Sequence, residues 1–171
     1  MSSIRSCELP AGALLSRHSG PGAYADCYVA EIGRTVSHAE FVEAFYTTAV
    51  FKLERLILRL LVSRPSTDAQ ATQLAQGTLS SFAAWTVEGR APDQLLLSDF
   101  TGRTKSWLMV AAPENAGSPG TRLFFGSAVV PLRNPTTGRT GLGFVFRGLL
   151  GFHKLYSRVL LHAARSRLSP D

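Results

Sequence analysis

Midway along the chain the hydrophobic period switches from helical to alternating and then back again, and few folds accommodate that order. Four alternating runs, Phe82–Glu88, Gln94–Phe100, Thr104–Ala112 and Thr121–Pro131, predict four strands. Two of their connections are short and rich in turn formers, Gly89-Arg90-Ala91-Pro92 and Thr101-Gly102-Arg103, while the third, Pro113–Gly120, is longer. Short links join antiparallel neighbours, so the runs predict a meander. After a Gly- and Pro-broken loop at Asn134–Gly143, the stretch Phe144–Leu168 carries the longest helical pattern, ended by Ser169-Pro170. Its expected inner side is Phe152, Leu155, Tyr156, Val159, Leu160 and Ala163, and its outer side Arg147, Lys154, Arg158, His162 and Arg165.

Upstream of the meander, Tyr24–Ile32 has the aromatic and β-branched residues of a strand. Ser37-His38-Ala39-Glu40 is a capping-box pattern, in which the serine hydroxyl accepts from the Glu40 amide and Glu40 reaches back. It opens a helix predicted over His38–Val62, with Phe41, Phe45, Leu53, Leu56, Ile57, Leu60 and Leu61 at helical spacing and a weak stretch at Tyr46-Thr47-Thr48 where it can break. Arg64-Pro65 ends it, and a minor helix at Asp68–Gln76 follows, capped by Thr67 and stopped by Gly77. Residues 1–22, rich in Gly, Ser and Pro, read as an extended leader crossing the surface, and 23–171 as a single domain of α+β class.

Composition narrows the class. At 171 residues with 45% apolar and 18% charged, the chain is neither disordered nor collagenous. The net charge of +6 is concentrated: residues 1–130 are neutral, while 131–171 hold Arg133, Arg139, Arg147, Lys154, Arg158, Arg165 and Arg167 against Asp171 alone. A neutral body with one basic element argues against a nucleic-acid binder. Cys7 and Cys27 stand without a C-x-x-C or clustered histidines, which leaves a metal site without ligands and two free thiols as the expectation. The apolar runs Leu56–Val62 and Leu142–Phe152 contain Arg59 and Arg147 and are too short to span a bilayer. The N-terminus MSSIRSCELPAGALLSR has too short an apolar stretch, interrupted by Glu8 and Pro10, for an export signal, so a cytoplasmic protein is expected.

The element order, with the opening YADCYVAEIGRTVSHAEFVEAF, the tryptophan strands FAAWTVEG and RTKSWLMVAA, and the closing helix GLLGFHKLYSRVLLHAARSRL, resembles the helix-grip fold of the START-like (SRPBCC) superfamily. More narrowly it is similar to a bacterial family of uncharacterised proteins in that superfamily. The resemblance covers about residues 24–168 and implies a curved antiparallel sheet gripping the C-terminal helix around an apolar cavity. Five strand patterns are visible where that fold has six or seven, which leaves short strands to be found in 1–22 or 134–146.

On that fold, Trp85, Leu97, Trp107, Met109, Phe125 and Tyr156 are the candidate cavity wall, and His153, three residues before Tyr156 on the same helix face, is the candidate polar anchor. Taken singly, each of these residues reads first as core or surface packing rather than as a ligand contact. Asp26 and Glu31 read as solvent-facing or capping acids, Cys27 as a buried thiol, and Asp99 with Arg103 and Lys105 as a solvated cluster around a hairpin. Gly138-Arg139-Thr140-Gly141-Leu142-Gly143 lacks the strand context and lysine of a phosphate loop. The expected function is binding of a small hydrophobic or amphipathic molecule, with no cofactor and a homodimer left open. Two alternatives stand beside it: a cyclase- or hydrolase-type enzyme with His153 or Asp26 as base, and an interaction module using the basic C-terminal helix.

Overall fold

Seven strands form one antiparallel sheet in a computed structural model that describes residues 4–53, 55, 66–115, 117–133, 140–141 and 144–169, with the backbone alone within 132–150. In chain order they are β1 (Arg5–Ser6), β2 (Tyr24–Ile32), β3 (Ser81–Phe82), β4 (Trp85–Ala91), β5 (Gln94–Asp99), β6 (Thr104–Ala111) and β7 (Thr121–Val129). Their order across the sheet is β1-β2-β7-β6-β5-β4-β3. The predicted meander is thus completed by β2, which lies beside β7 from Tyr24 opposite Val129 to Ile32 opposite Thr121. A separate ribbon pairs β8 (Leu132–Arg133) with β9 (Thr140–Gly141). Helices α1 (His38–Tyr46), α2 (Asp68–Ala75) and α3 (Phe144–Leu168) complete the fold, and α1 and α3 share a hydrophobic core with one face of the sheet. The class is α+β, with a sheet gripping its final helix.

Local chemistry explains the boundaries. Ser37 Oγ accepts from the Glu40 amide while the Glu40 carboxylate accepts from the Ser37 amide, and Thr67 and Gln70 repeat the arrangement at α2. The weak stretch after Tyr46 does break the first helix. Thr47 Oγ1 donates back to the Glu43 carbonyl at 2.7 Å, whereas Thr48 Oγ1 accepts from the Phe51 amide and starts a new helical segment at 49–53. The predicted continuation through 56–62 lies outside the described residues. Two short strands bring the expected five to seven. β1 falls within 1–22, and β3 arises because the run Phe82–Glu88 is interrupted by a turn at Ala83-Ala84, with Ala83 at φ 52°.

Strand alternation divides the sheet into an inner and an outer face. Tyr28, Ala30, Ile32, Leu95, Leu97, Leu108, Leu123 and Phe125 point inward to α1 and α3, whereas Cys27, Val29, Leu96, Trp107, Met109, Phe124 and Ala128 point outward. The outer face is covered by residues 4–23. The segment predicted as a leader crossing the surface is a strap with a 3-10 turn at Leu14–His18, and Leu15 is wholly buried beneath it. Gln94 fastens the strap: its Oε1 accepts from the Trp107 indole at 2.8 Å and the Leu14 amide at 2.9 Å, while its Nε2 donates to the Gly12 carbonyl at 3.1 Å. Gly126 makes the close approach possible, since a Cβ there would stand 2.8 Å from Leu15 Cδ2 and 3.0 Å from Trp107 Cε3.

The same face corrects the reading of Lys105 as part of a solvated hairpin cluster. Lys105 is 6% exposed, and its Nζ donates to Glu88 Oε2 at 2.6 Å and Ser98 Oγ at 3.0 Å. Glu88 alternates outward after Val87, at a bulge where the register shifts between Val87 and Gly89, and there it also meets His18 of the strap. Burial pushes the Glu88 carboxyl up, but the hydrogen bonds from Lys105 and His18 outweigh it and hold it below the usual carboxylate range. Asp99 caps its hairpin instead, accepting from the Arg103 and Thr104 amides.

The register of α3 also differs from expectation. Among its described side chains Ser157, Leu160, Leu161, Ala164 and Leu168 are buried, whereas Phe152, Leu155 and Val159, expected inside, are exposed. The helix offers more apolar positions than the sheet can cover. Its direction is fixed at the C-terminal end, where Arg34 Nε donates to the Leu168 carbonyl at 2.9 Å and Arg165 Nε to the Glu31 carbonyl at 2.8 Å.

Candidate functional site

A cavity of about 420 Å³ lies between the inner face and α3. Trp85, Ser106, Phe125 and Ser127 form its floor, Phe45, Val50, Phe51 and Leu53 one side, and Phe152, His153, Tyr156, Ser157 and Leu160 its roof. The side wall is closely packed. Phe45 packs on Phe125 with ring centroids 4.8 Å apart, Tyr46 and Phe51 meet edge to face at 4.8 Å, and Tyr46 Oη shares a hydrogen bond with Ser106 Oγ at 3.2 Å. Phe152 and Leu53, 66% and 59% exposed, flank the mouth. This is the size and lining of a small-molecule pocket, apolar with a few convergent polar groups.

The polar groups gather where β2 and β7 pass under the start of the described part of α3. Cross-strand pairing sets Asp26 opposite Ser127. Asp26 Oδ1 accepts from both the Ser127 hydroxyl, at 2.7 Å, and its amide, at 3.1 Å, while Oδ2 accepts from Tyr24 Oη at 2.8 Å. On the cavity side, Ser127 Oγ stands 2.7 Å from His153 Nε2, and that nitrogen is 3.7 Å from Asp26 Oδ2. Tyr24 packs edge-on against the His153 ring, with centroids 5.7 Å apart.

Proton positions follow from donor and acceptor counts. Asp26, its side chain 8% exposed, accepts from three donors. The Ser127 proton is thereby committed to Asp26, and the hydrogen bond to His153 is donated by Nε2–H to Ser127 Oγ. Burial pushes the His153 imidazole below its ordinary pKa, with Asp26 opposing, so the ring is neutral at pH 7. Burial and the Asp26 charge raise the Tyr24 phenol, which keeps it a donor. The remaining lone pair on Ser127 Oγ is the acceptor offered to the cavity. Two further lining residues carry buried polar atoms with no hydrogen-bond partner among the described residues, Trp85 Nε1 and Ser157 Oγ.

Of the residues expected at the site, Trp85, Phe125, His153 and Tyr156 are brought together in the cavity wall. Leu97 is on the same face but wholly buried in the core beside it. Trp107 and Met109 lie on the opposite face, under the strap. Alternation in β6 sends Ser106 and Leu108 inward, and the two larger residues between them go out. Ser127 and Tyr24 are absent from the sequence expectations for the site, and Asp26 is there as a solvent-facing or capping acid, with a base in the cavity as the alternative. The signal was available as a polar residue at apolar parity, Asp26 in step with Tyr28 and Ala30, and Ser127 in step with Leu123 and Phe125.

Among the described residues no group of three or more His, Cys, Asp or Glu side chains could hold a metal ion, and no helix is long and apolar enough to cross a membrane. Comparison with protein-family models, with curated proteins and with solved structures gives no match.

Proposed function

We propose that the chain is a START-like helix-grip protein that binds a small amphipathic molecule between its sheet and α3, in the cytoplasm. The observation that carries this reading is the aromatic cavity of about 420 Å³ with a hydrogen-bonding end at Ser127 and His153. Burying the ligand's apolar part against Phe45, Phe51, Trp85 and Phe125 supplies affinity at about 25 cal/mol per Å², before association costs are subtracted.

The polar end also selects. The Asp26 carboxylate stands directly behind Ser127, and Lys105, the one Lys or Arg among the described lining residues, already gives its ammonium to Glu88 on the other face. A ligand carboxylate would meet a like charge there. A hydroxyl or a protonated amine instead donates to Ser127 Oγ and is favoured by the charge beyond it. The same proton arrangement weighs against a hydrolase: Ser127 gives its proton to a carboxylate and receives one from His153, the reverse of an activated nucleophile.

The test begins with native mass spectra of protein purified from cells, compared with spectra after denaturation, where an extra mass lost on unfolding is a captured ligand. Tryptophan emission is then titrated with dodecanol, dodecylamine and dodecanoate. The alcohol and the amine are expected to shift the emission in wild type and to leave it unmoved in Trp85→Phe. Tightest binding of dodecanoate overturns the head-group assignment. No copurified mass and no response to any of the three overturns the binding reading.

A second reading, docking through the outside of α3, draws on the exposed Phe152, Leu155 and Val159 interleaved with exposed Lys154 and Arg158. It predicts partner binding that fails at high salt, where cavity binding persists.

A further inference from the structure

We infer that Cys7 and Cys27 form a redox-active dithiol which a hydroperoxide closes to a disulfide, locking the strap to the sheet. Cys7 follows directly on β1, and its amide donates to the Cys27 carbonyl at 3.0 Å, so the two cysteines continue the antiparallel register of Arg5 with Val29 and Ser6 with Tyr28. Both side chains lie on the outer face, with the sulfurs 3.2 Å apart and both residues reduced. A covalent bond needs little more than a small approach of two atoms already in contact.

The two thiols are unequal. Cys27 is buried, 2% exposed, while Cys7 is half-buried and borders two surface clefts, open to a small oxidant. The hydrogen bond with Cys27 lowers the Cys7 thiol, burial opposes this, and Arg5 and Arg122 lower it further. The same contact and its burial raise Cys27. Cys7 is thus the thiolate-forming, attacking group, and Cys27 the protonated reserve beside it.

The chemistry balances with the hydroperoxide as sole oxidant. The Cys7 thiolate attacks one peroxide oxygen, the O–O bond breaks, and the alcohol leaves with a proton, leaving a sulfenic acid on Cys7. Cys27 sulfur then attacks Cys7 sulfur, and its proton departs with the hydroxide as water. Two electrons pass from the two thiols to the peroxide, giving one disulfide, one alcohol and one water. The bond closes a loop from residue 7 to residue 27 that contains the whole 3-10 turn, so it constrains the strap in the unfolded chain.

The experiment is titration of the reduced, full-length protein with hydrogen peroxide, followed by intact mass, thiol counting and thermal denaturation. One equivalent is expected to remove two mass units and both titratable thiols, to link the Cys7 and Cys27 peptides, and to raise Tm by about 5–10 °C. Cys27→Ser should stop at the first step and take one dimedone adduct on Cys7, whereas Cys7→Ser should form neither species. Thiols that stay alkylatable in wild type, oxidation of Cys7 to the sulfinic acid without a disulfide, or an adduct falling on Cys27 would each overturn the inference.

Discussion

Replacing Gln94 with leucine tests whether the strap is fastened as the geometry implies. Gln94 joins three partners, the Trp107 indole, the Leu14 amide and the Gly12 carbonyl, at 2.8, 2.9 and 3.1 Å. Trp107 is wholly buried, so its N–H cannot turn to water and loses about 1–3 kcal/mol when left unpaired. The two strap groups lose about 1 kcal/mol each, and the leucine recovers about 1 kcal/mol by its own burial. The net expectation is a loss of about 3 kcal/mol, a sizeable part of the ~5–15 kcal/mol typical of a domain. Equilibrium urea denaturation reads it: with a slope of about 2 kcal/mol per molar, the midpoint falls by about 1.5 M. Limited trypsinolysis supplies the local readout, because Arg17 lies within the 3-10 turn that Gln94 pins and should be cut faster in Gln94→Leu. A loss below about 1 kcal/mol, or cleavage after Arg17 at the wild-type rate, would refute the reasoning. Ligand binding in the cavity, on the far face, should be unchanged in the folded variant.

Three further outcomes are expected. His38 and His153 are both held below the ordinary value of 6.5, chiefly by burial, so the unfolded chain takes up protons that the native chain refuses and stability falls as pH drops below about 6.5. A lower urea midpoint at pH 5.5 than at pH 7.5, well above the range where Glu40 and Asp68 protonate, checks this. Ala83→Gly should stabilise by about 0.5–1 kcal/mol, since Ala83 sits at φ 52° and glycine adopts that conformation without strain; an unchanged Tm would show the turn to be unstrained. Ser157→Ala should raise Tm of the empty protein by about 2–4 °C, because it removes a buried hydroxyl without a partner among the described residues and adds helix propensity; a lowered Tm would show that the hydroxyl is bonded.

Much of the fold could be read in advance because its signals are local. The capping residues Ser37 and Thr67, the terminator after Leu168 and the alternation of β5 to β7 each depend on near neighbours in sequence. What could not be read depends on the other side of the sheet. Alternation shows that Trp107 and Met109 share a face, but the choice of face rests on what covers it, and here Leu15 and the strap cover the outer one. The same uncertainty hid the Glu88–Lys105 pair, which lies on that outer face beside His18 of the strap. β3 escaped notice because Ala83 is not a residue that announces a left-handed turn. For α3 the helical period was clear, yet the apolar arc is broad, and a small polar residue, Ser157, occupies a position that hydrophobicity alone assigns to solvent. Asp26, Ser127 and Tyr24 converge through a pairing between strands about a hundred residues apart, which no local window contains.

The brevity of β1 has a consequence for self-association. β2 is nine residues long and fully paired with β7 on one side, but on the other, among the described residues, it is matched by Arg5 and Ser6, with Cys7 adding one more backbone bond. Lift those few residues and a long, apolar strand with unspent amide and carbonyl groups becomes the rim of the sheet, the template on which a second copy adds its own β2 in antiparallel fashion. The same sulfur contact that would fasten the strap therefore also stands guard over that rim, and conditions that free the N-terminal residues should promote strand-paired dimers and larger species.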